Sequence, residues 1–322
     1  MITVAGIDIG GTKCAVSIGK ITEGGIQVID KVKIATPDRP EEAINELVVM
    51  LQSLLHKHES ITLESIGISC GSPLNSELGL ILSPPNLSHW ERVDIVSPFI
   101  DNFHVPTSVQ NDANACALAE WMWGAGKGCK NMIFLTFGTG MGAGLILNNQ
   151  LYVGANDMAG EVGHIRLEED GPVGYHKAGS FEGYCSGGGI AKLAISMVKE
   201  FTAKGGRTVL LNQQTEFTKL TAAEVGLAAA QGDELALHIF EVVGEKLGKG
   251  LSVLIDVLNP QRIVIGSIFM RQEKLLRGPM EKVIAREALS YSREVCEIVP
   301  AGLGEQIGDY AALSVAMNRL RR

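Results

Sequence analysis

One pattern occurs twice in this chain of 322 residues and narrows what it can fold into. An apolar strand runs into a turn of glycine and threonine, and a second apolar strand returns. The first copy reads GIDIGGTKCAVSIG over 6–19 and the second LTFGTGMGAGLIL over 135–147. Such self-similarity marks a duplicated supersecondary unit. Glycine is the ordinary residue of tight turns, but here it stands beside Thr12 and Thr139, and Asp8 sits at the end of the first strand. Hydroxyls and bare backbone N–H groups then converge on one point, which makes a nest suited to phosphate. Glycine is also over-supplied in the whole chain, 38 of 322 residues, or roughly 12% against an average near 7%.

The segments around each copy fit an α/β plan. Strands are expected at 3–9, 14–19 and 26–35, with a turn at Glu23-Gly24-Gly25, then a helix near 41–58 whose Ile44, Leu47, Leu51, Leu54 and Leu55 share one face. A strand at 65–70, a Pro/Asn/Gly-rich loop at 71–90, a strand at 105–109 and a helix from Asn111-Asp112 to Trp123 complete one half. The second half opens with strands at 132–137 and 141–147. Helices follow at 188–204, 221–230, 233–258, 279–289 and 307–320, with a strand at 262–266. The length predicts two domains: a small one over 1–118, completed by the helix at 307–322, and a large one over 119–306.

Composition removes several classes. Hydrophobic residues are 46% and charged residues 20%, which excludes a disordered or coiled-coil chain. A net charge of −8 without a basic run argues against nucleic acid. No stretch reaches the roughly 18 apolar residues of a membrane span, and Asp8 interrupts any apolar leader. Cys14, Cys70, Cys116, Cys129, Cys185 and Cys296 are scattered without a CxxC pair, as suits free thiols in a reducing cytoplasm.

Several separated motifs together resemble the ROK family (repressors, open reading frames, kinases) of bacterial sugar kinases, built on the actin-like ATPase fold. Asp8-Ile9-Gly10-Gly11-Thr12-Lys13 resembles its first phosphate motif and Phe137–Gly144 its second. Asn111-Asp112-Ala113-Asn114, with Glu120 following, is similar to its catalytic motif. Gly160-Glu161-Val162-Gly163-His164 matches its sugar-binding element, and Asn259–Gly266 the strand before the adenosine pocket. The resemblance spans nearly the whole chain and implies a duplicated, ribonuclease H-like two-domain fold with a cleft between the domains.

One departure is clear. The family's cysteine-rich zinc loop, CxCGxxGCxE, is here Gly174-Tyr175-His176-Lys177-Ala178-Gly179-Ser180-Phe181-Glu182. Zinc wants Cys or His donors, and Ser180 stands where the last cysteine would be, so no zinc site is expected. The closing Glu182 is retained.

The resemblance assigns roles residue by residue. Asp112 is the general base, whose bland reading is a helix N-cap. Asn111, Glu161, His164 and Glu182 bind the sugar, with Gly71 and Asn86 as further candidates that turn formation explains nearly as well. Asp8 holds Mg²⁺ directly or through water. Gly10, Gly11, Thr12, Lys13, Gly138, Thr139, Gly140 and Gly266 bind ATP. Independently of the family, Glu161 and His164 are three apart, flanked by Gly160 and Gly163, and can accept from and donate to sugar hydroxyls. The activity implied is transfer of the γ-phosphate of ATP to the primary hydroxyl of a hexose or N-acetylhexosamine, by a cytoplasmic homodimer or tetramer. The rivals are a regulator of the same family and a protein that binds sugar without phosphorylating it. Regulators carry a DNA-binding domain ahead of the first phosphate motif, and here seven residues precede Asp8. The motifs leave the identity of the sugar open.

Overall fold

The computed structural model describes residues 2–22, 25–58, 61–211 and 219–321. The expected turn at Glu23-Gly24 lies outside them. In chain order the elements are β1 (Ile2–Ile9), β2 (Lys13–Thr22), β3 (Gly25–Ala35), α1 (Pro40–Lys57), β4 (Ser65–Cys70), β5 (Leu74–Asn75), β6 (Leu80–Ile81), β7 (Val93–Asp94), α2 (Ser97–Phe103), β8 (Thr107–Asn111) and α3 (Asp112–Trp123). There follow β9 (Met132–Phe137), β10 (Met141–Leu147), β11 (Gln150–Tyr152), β12 (Val173–Gly174), β13 (Lys177–Ala178), α4 (Phe181–Tyr184), α5 (Gly187–Ala203), α6 (Ala222–Ala230) and α7 (Glu234–Leu258). The last are β14 (Arg262–Ile265), α8 (Ile268–Glu287), α9 (Ser290–Glu294), β15 (Glu297–Pro300) and α10 (Ile307–Arg321).

Two five-stranded sheets express the duplication. Their orders are β3-β2-β1-β4-β8 and β11-β10-β9-β14-β15. In the first, β2 is antiparallel to β1 while β4 and β8 continue parallel. In the second, β14 is parallel to both β9 and β15, and β11 is antiparallel to β10. The chain divides into one unit of 1–130, 144–159 and 302–322, and another of 131–143 and 160–301.

In the first unit, β1 and β4 read as near-continuous apolar runs because helices cover both faces. Amphipathic α1 opens on Pro40 with Glu41 and Glu42 in its first turn, where Pro and acids are favoured. Its Leu47 and Leu51 are fully buried in the cluster with Ile7, Val16 and Ile68. Burial of each such side chain stabilises by about 1.5–3 kcal/mol. On the other face α10 lies unusually close. A Cβ on Gly67 would come 2.1 Å from the Ala312 carbonyl oxygen, so that rung of the sheet admits only glycine. The loop expected over 71–90 instead carries the short strands β5 and β6, which pair with β7 just beyond it in a three-stranded sheet β5-β6-β7. The strand expected at 105–109 begins two residues later, after Pro106, and so ends on Asn111.

In the second unit, α7 is capped by Asp233, which accepts the Ala236 N–H, and stops at Asn259 in the left-handed region before Pro260. The helix expected at 279–289 begins at Ile268: α8 passes a kink at Gln272 and tolerates Pro279 inside. Gly244 and Gly248 of α7 let α8 approach, since a Cβ on either would meet the Leu276 or Met280 carbonyl below 3 Å.

Candidate active site

In the first unit, Asp8 is next to last in β1, and the turn beyond it is tied at both ends. The Gly10 N–H donates to the Lys13 carbonyl at 3.1 Å, and the Thr36 N–H to the Thr12 carbonyl at 3.1 Å. Thr36 Oγ1 donates to the Gly10 carbonyl at 2.6 Å. Gly11, Thr12 and Lys13 are exposed. Gly11 is pressed on Asn86, where a Cβ would stand 2.5 Å from the Asn86 carbonyl oxygen. The exposed Asn86 is therefore brought against the first glycine turn. Gly71 is different: a Cβ there would make an ordinary 3.7 Å contact with Pro84, so space does not demand glycine.

Asn111, not Asp112, caps α3. Its Oδ1 accepts the Asn114 N–H at 2.7 Å, and its Nδ2 donates to Ser72 Oγ at 3.1 Å. One amide N–H of Asn111 is left for a ligand. Asp112 is then the first helical residue, its Oδ1 accepting the Ala113 N–H at 2.8 Å and its carboxylate also taking its own backbone N–H. Its carboxylate opens to solvent on one side, yet the protein massed around it raises its pKa, against the lowering by the Ala113 N–H. Burial likewise pushes Asp8 up to about 6, with Lys31 and Lys33 lowering it and the Asp112 charge raising it. Two carboxylates in each other's field offer hard oxygen donors of the kind Mg²⁺ takes alongside phosphate. Glu120 serves the frame: fully buried, it accepts the N–H groups of Ala125, Gly302 and Leu303 at 2.7, 3.1 and 2.9 Å.

In the second unit, the Gly138 N–H donates to the Gly140 carbonyl at 3.1 Å across the second glycine turn. Glu182 reaches this turn from α4: its Oε2 accepts the Met141 N–H at 3.1 Å, and a Cβ on Gly140 would lie 2.9 Å from the same oxygen. Gly160 and Gly163 are glycine for close packing on β10. Cβ atoms there would meet the Ala143 and Met141 carbonyl oxygens at 2.0 and 2.1 Å, and Gly160 has φ +92°. Glu161 and His164 flank the 3-10 turn Val162–His164, and both are exposed. That tight period stacks residues three apart on one side.

The segment 174–182 is held by its own bonds. β12 and β13 pair Val173 with Ala178 and Gly174 with Lys177, with Tyr175 and His176 both at positive φ, 37° and 65°. This is the two-residue hairpin whose central positions favour Asn-Gly. Lys192 Nζ donates to the Val173 carbonyl at 2.7 Å. Ser180 caps α4, its Oγ accepting the Gly183 N–H at 3.1 Å.

Sequence reasoning missed a cavity of about 460 Å³ beside the second turn, lined by Gly138, Thr139, Gly187, Gly188, Ser267 and Arg271 among others. α5 begins there, its Gly187 N–H donating to the Gly138 carbonyl at 2.7 Å. The signal was available in Ser186-Gly187-Gly188-Gly189, a cap followed by bare glycines at a helix N-terminus, which is an anion site. Gly266 follows β14, which stops one residue short of the expected 262–266, and a Cβ on it would crowd Phe134 at 3.2 Å.

A family model described as ROK family matches residues 4–319. The glucokinase of Halalkalibacterium halodurans is 31% identical over 309 residues, 94% of this chain and 91% of that protein. The xylose repressor of Bacillus subtilis is 27% identical over 282 residues, 87% of this chain and 68% of the repressor. Among solved structures, a ROK family glucokinase from Streptomyces griseus in complex with glucose and AMPPNP superposes with a TM-score of 0.75 at 28% identity, covering 98% of this chain and 99% of that one.

Proposed function

The chain belongs to the ROK family, in which it is an ATP-dependent sugar kinase, and from that premise we propose that it phosphorylates the primary hydroxyl of a hexose or N-acetylhexosamine. The observation that carries the reading is Asp112. The helix end is capped by Asn111, so the Asp112 carboxylate is left to accept a proton, and burial raises its basicity. A base is more effective as its pKa approaches the working pH.

Asp112 takes the proton of the sugar hydroxyl as that oxygen attacks the γ-phosphorus. The bond from phosphorus to the bridging oxygen breaks, and ADP leaves with the electron pair. Asn111, with its one remaining amide N–H, Glu161 and His164 hold the neighbouring hydroxyls. Glu182 has one oxygen committed to Met141 and offers the other to the sugar. The turns at Gly10–Lys13 and Gly138–Gly140 and the start of α5 take the phosphates, and Ser267 and Arg271, led into by Gly266, line the adenosine side. Asp8 would hold Mg²⁺ or its water, and the ion would neutralise charge on the phosphate oxygens.

The xylose repressor relative favours a second reading, a sugar-sensing regulator. Coupled ADP release over a panel of hexoses and N-acetylhexosamines separates the two. Turnover of a panel member supports the kinase, whereas sugar binding without ADP release supports the sensor. The six free cysteines suit a reducing cytoplasm, and a homodimer is the proposed assembly, measurable by light scattering.

A further inference from the structure

The hairpin 173–178 grips His164 from two directions. Lys177 Nζ donates to the His164 backbone carbonyl at 2.8 Å. The Tyr175 ring meets the His164 imidazole edge-on, with centroids 6.3 Å apart and planes at 76°. The His176 ring lies 5.5 Å from the Tyr175 ring at a tilt of 58°, so Tyr175 is in ring contact with both imidazoles. The hairpin itself is seated on α4, because a Cβ on Gly174 would come 2.5 Å from the Gly183 nitrogen and 2.9 Å from Glu182 Cβ.

Two features of Tyr175 lack a packing reason. It is 67% exposed, so its ring adds little to the core. It also occupies, with His176, a turn whose left-handed backbone disfavours bulky side chains and suits Asn-Gly. Strained residues persist where the surroundings hold them for a purpose. The contact Tyr175 makes is with the imidazole that the proposed function assigns to the sugar hydroxyls, and His164 is otherwise exposed. An unbraced imidazole at an exposed site samples several rotamers, and ordering it on each binding event weakens affinity.

We propose that Tyr175 is a positioning residue: braced by the hairpin 173–178, it fixes the His164 imidazole in the orientation that meets the sugar. The aromatic ring of Tyr175 suffices, and the phenol oxygen is not required. The proposal rests on the kinase reading for its consequence, but the geometry of the brace does not.

Two measurements test it on the whole protein. In the coupled assay, Tyr175→Ala raises the sugar KM about tenfold while kcat and the KM for ATP hold, as loss of orientation without loss of chemistry requires. Tyr175→Phe restores the wild-type KM. The double variant Tyr175→Asn with His176→Gly installs the dipeptide the turn prefers, so it melts at or above the wild-type temperature and still shows the raised KM. In proton NMR, the His164 ring resonance, identified by its loss in His164→Gln, moves on Tyr175→Ala as the ring-current shift disappears. A double variant with wild-type sugar KM overturns the proposal, and so does a His164 resonance that Tyr175→Ala leaves in place. If no sugar is phosphorylated, the kinase reading fails by itself, and the resonance still decides the brace.

Discussion

Replacing Asp112 by Asn separates catalysis from folding at one atom. The substitution keeps volume and shape, and the amide oxygen can still accept the Ala113 N–H that Oδ1 accepts at 2.8 Å. The cap of α3 is untouched, since it belongs to Asn111. Loss of a carboxylate near a helix N-terminus costs about 0.3–1 kcal/mol, but burial disfavours this charge in the folded state, so the two effects offset. The midpoint of urea unfolding should therefore move little. The rate should fall by about 10²–10⁴, the range of a lost general base, or about 3–5 kcal/mol on the barrier. The wild-type pH–rate profile should have its acid limb above the ordinary carboxylate range, because burial raises the Asp112 pKa, and that limb should vanish in the variant. Coupled ADP release and urea titration on the same preparation provide both numbers. A variant that keeps more than about a tenth of the wild-type kcat refutes Asp112 as the base. Its neighbour supplies the contrast: Asn111→Ala removes the cap and should cost about 1 kcal/mol of stability.

Asp8 makes the opposite demand on stability. Its folded pKa of about 6 exceeds the ordinary 3.8, so the folded state binds the proton more tightly and stability falls as pH rises from about 4 to 6. Asp8→Asn should thus be more stable than wild type at pH 7, by up to about 3 kcal/mol, and the gap should close by pH 4; an equal gap at both pH values counts against the argument. Gly160→Ala should lose about 2–4 kcal/mol, from the positive φ and from the new Cβ meeting the Ala143 carbonyl oxygen, which would break the Ala143 N–H bond to the Gly160 carbonyl; an unchanged urea midpoint would show that β10 can give way. Activity in Mg²⁺ buffer should survive strong zinc chelators, since Ser180 and the hairpin hold 174–182 by hydrogen bonds; metal analysis finding a tightly bound zinc in each chain would sink that expectation.

The two glycine turns were legible because a short-range pattern writes them: apolar strand, bare N–H groups and returning strand all lie within about a dozen residues. The α1 and α7 helices were legible from period and caps for the same reason. What was hidden depends on separation or on a single dihedral. Both Asn111 and Asp112 can cap a helix, and the choice follows from β8 running to Asn111 after Pro106, which propensity does not resolve. The contact of Glu182 with Met141 joins residues 41 apart, and α8 begins eleven residues before the expected 279 because it carries Pro279, an ordinary helix breaker, in its interior. For Gly160 and Gly163 the structural reason is the close approach to the Ala143 and Met141 carbonyls of β10, which a local pattern does not reveal.

The close seat of α10 on the first sheet has a consequence for how the chain is made. Ser65 Oγ donates to the Ala316 carbonyl across 251 residues, and Gly6 and Gly67 are shaped to receive Ala312 and Ala316. At roughly 5–20 residues per second, a ribosome needs on the order of 10–50 s to deliver that partner after β4 has emerged. For that interval the face of β1 and β4 that α10 will cover waits bare, while the second unit is still being synthesised. A chaperone that shields apolar sheet faces would have its natural moment there, and slowing translation between α3 and α10 should lower the soluble yield without altering the finished fold.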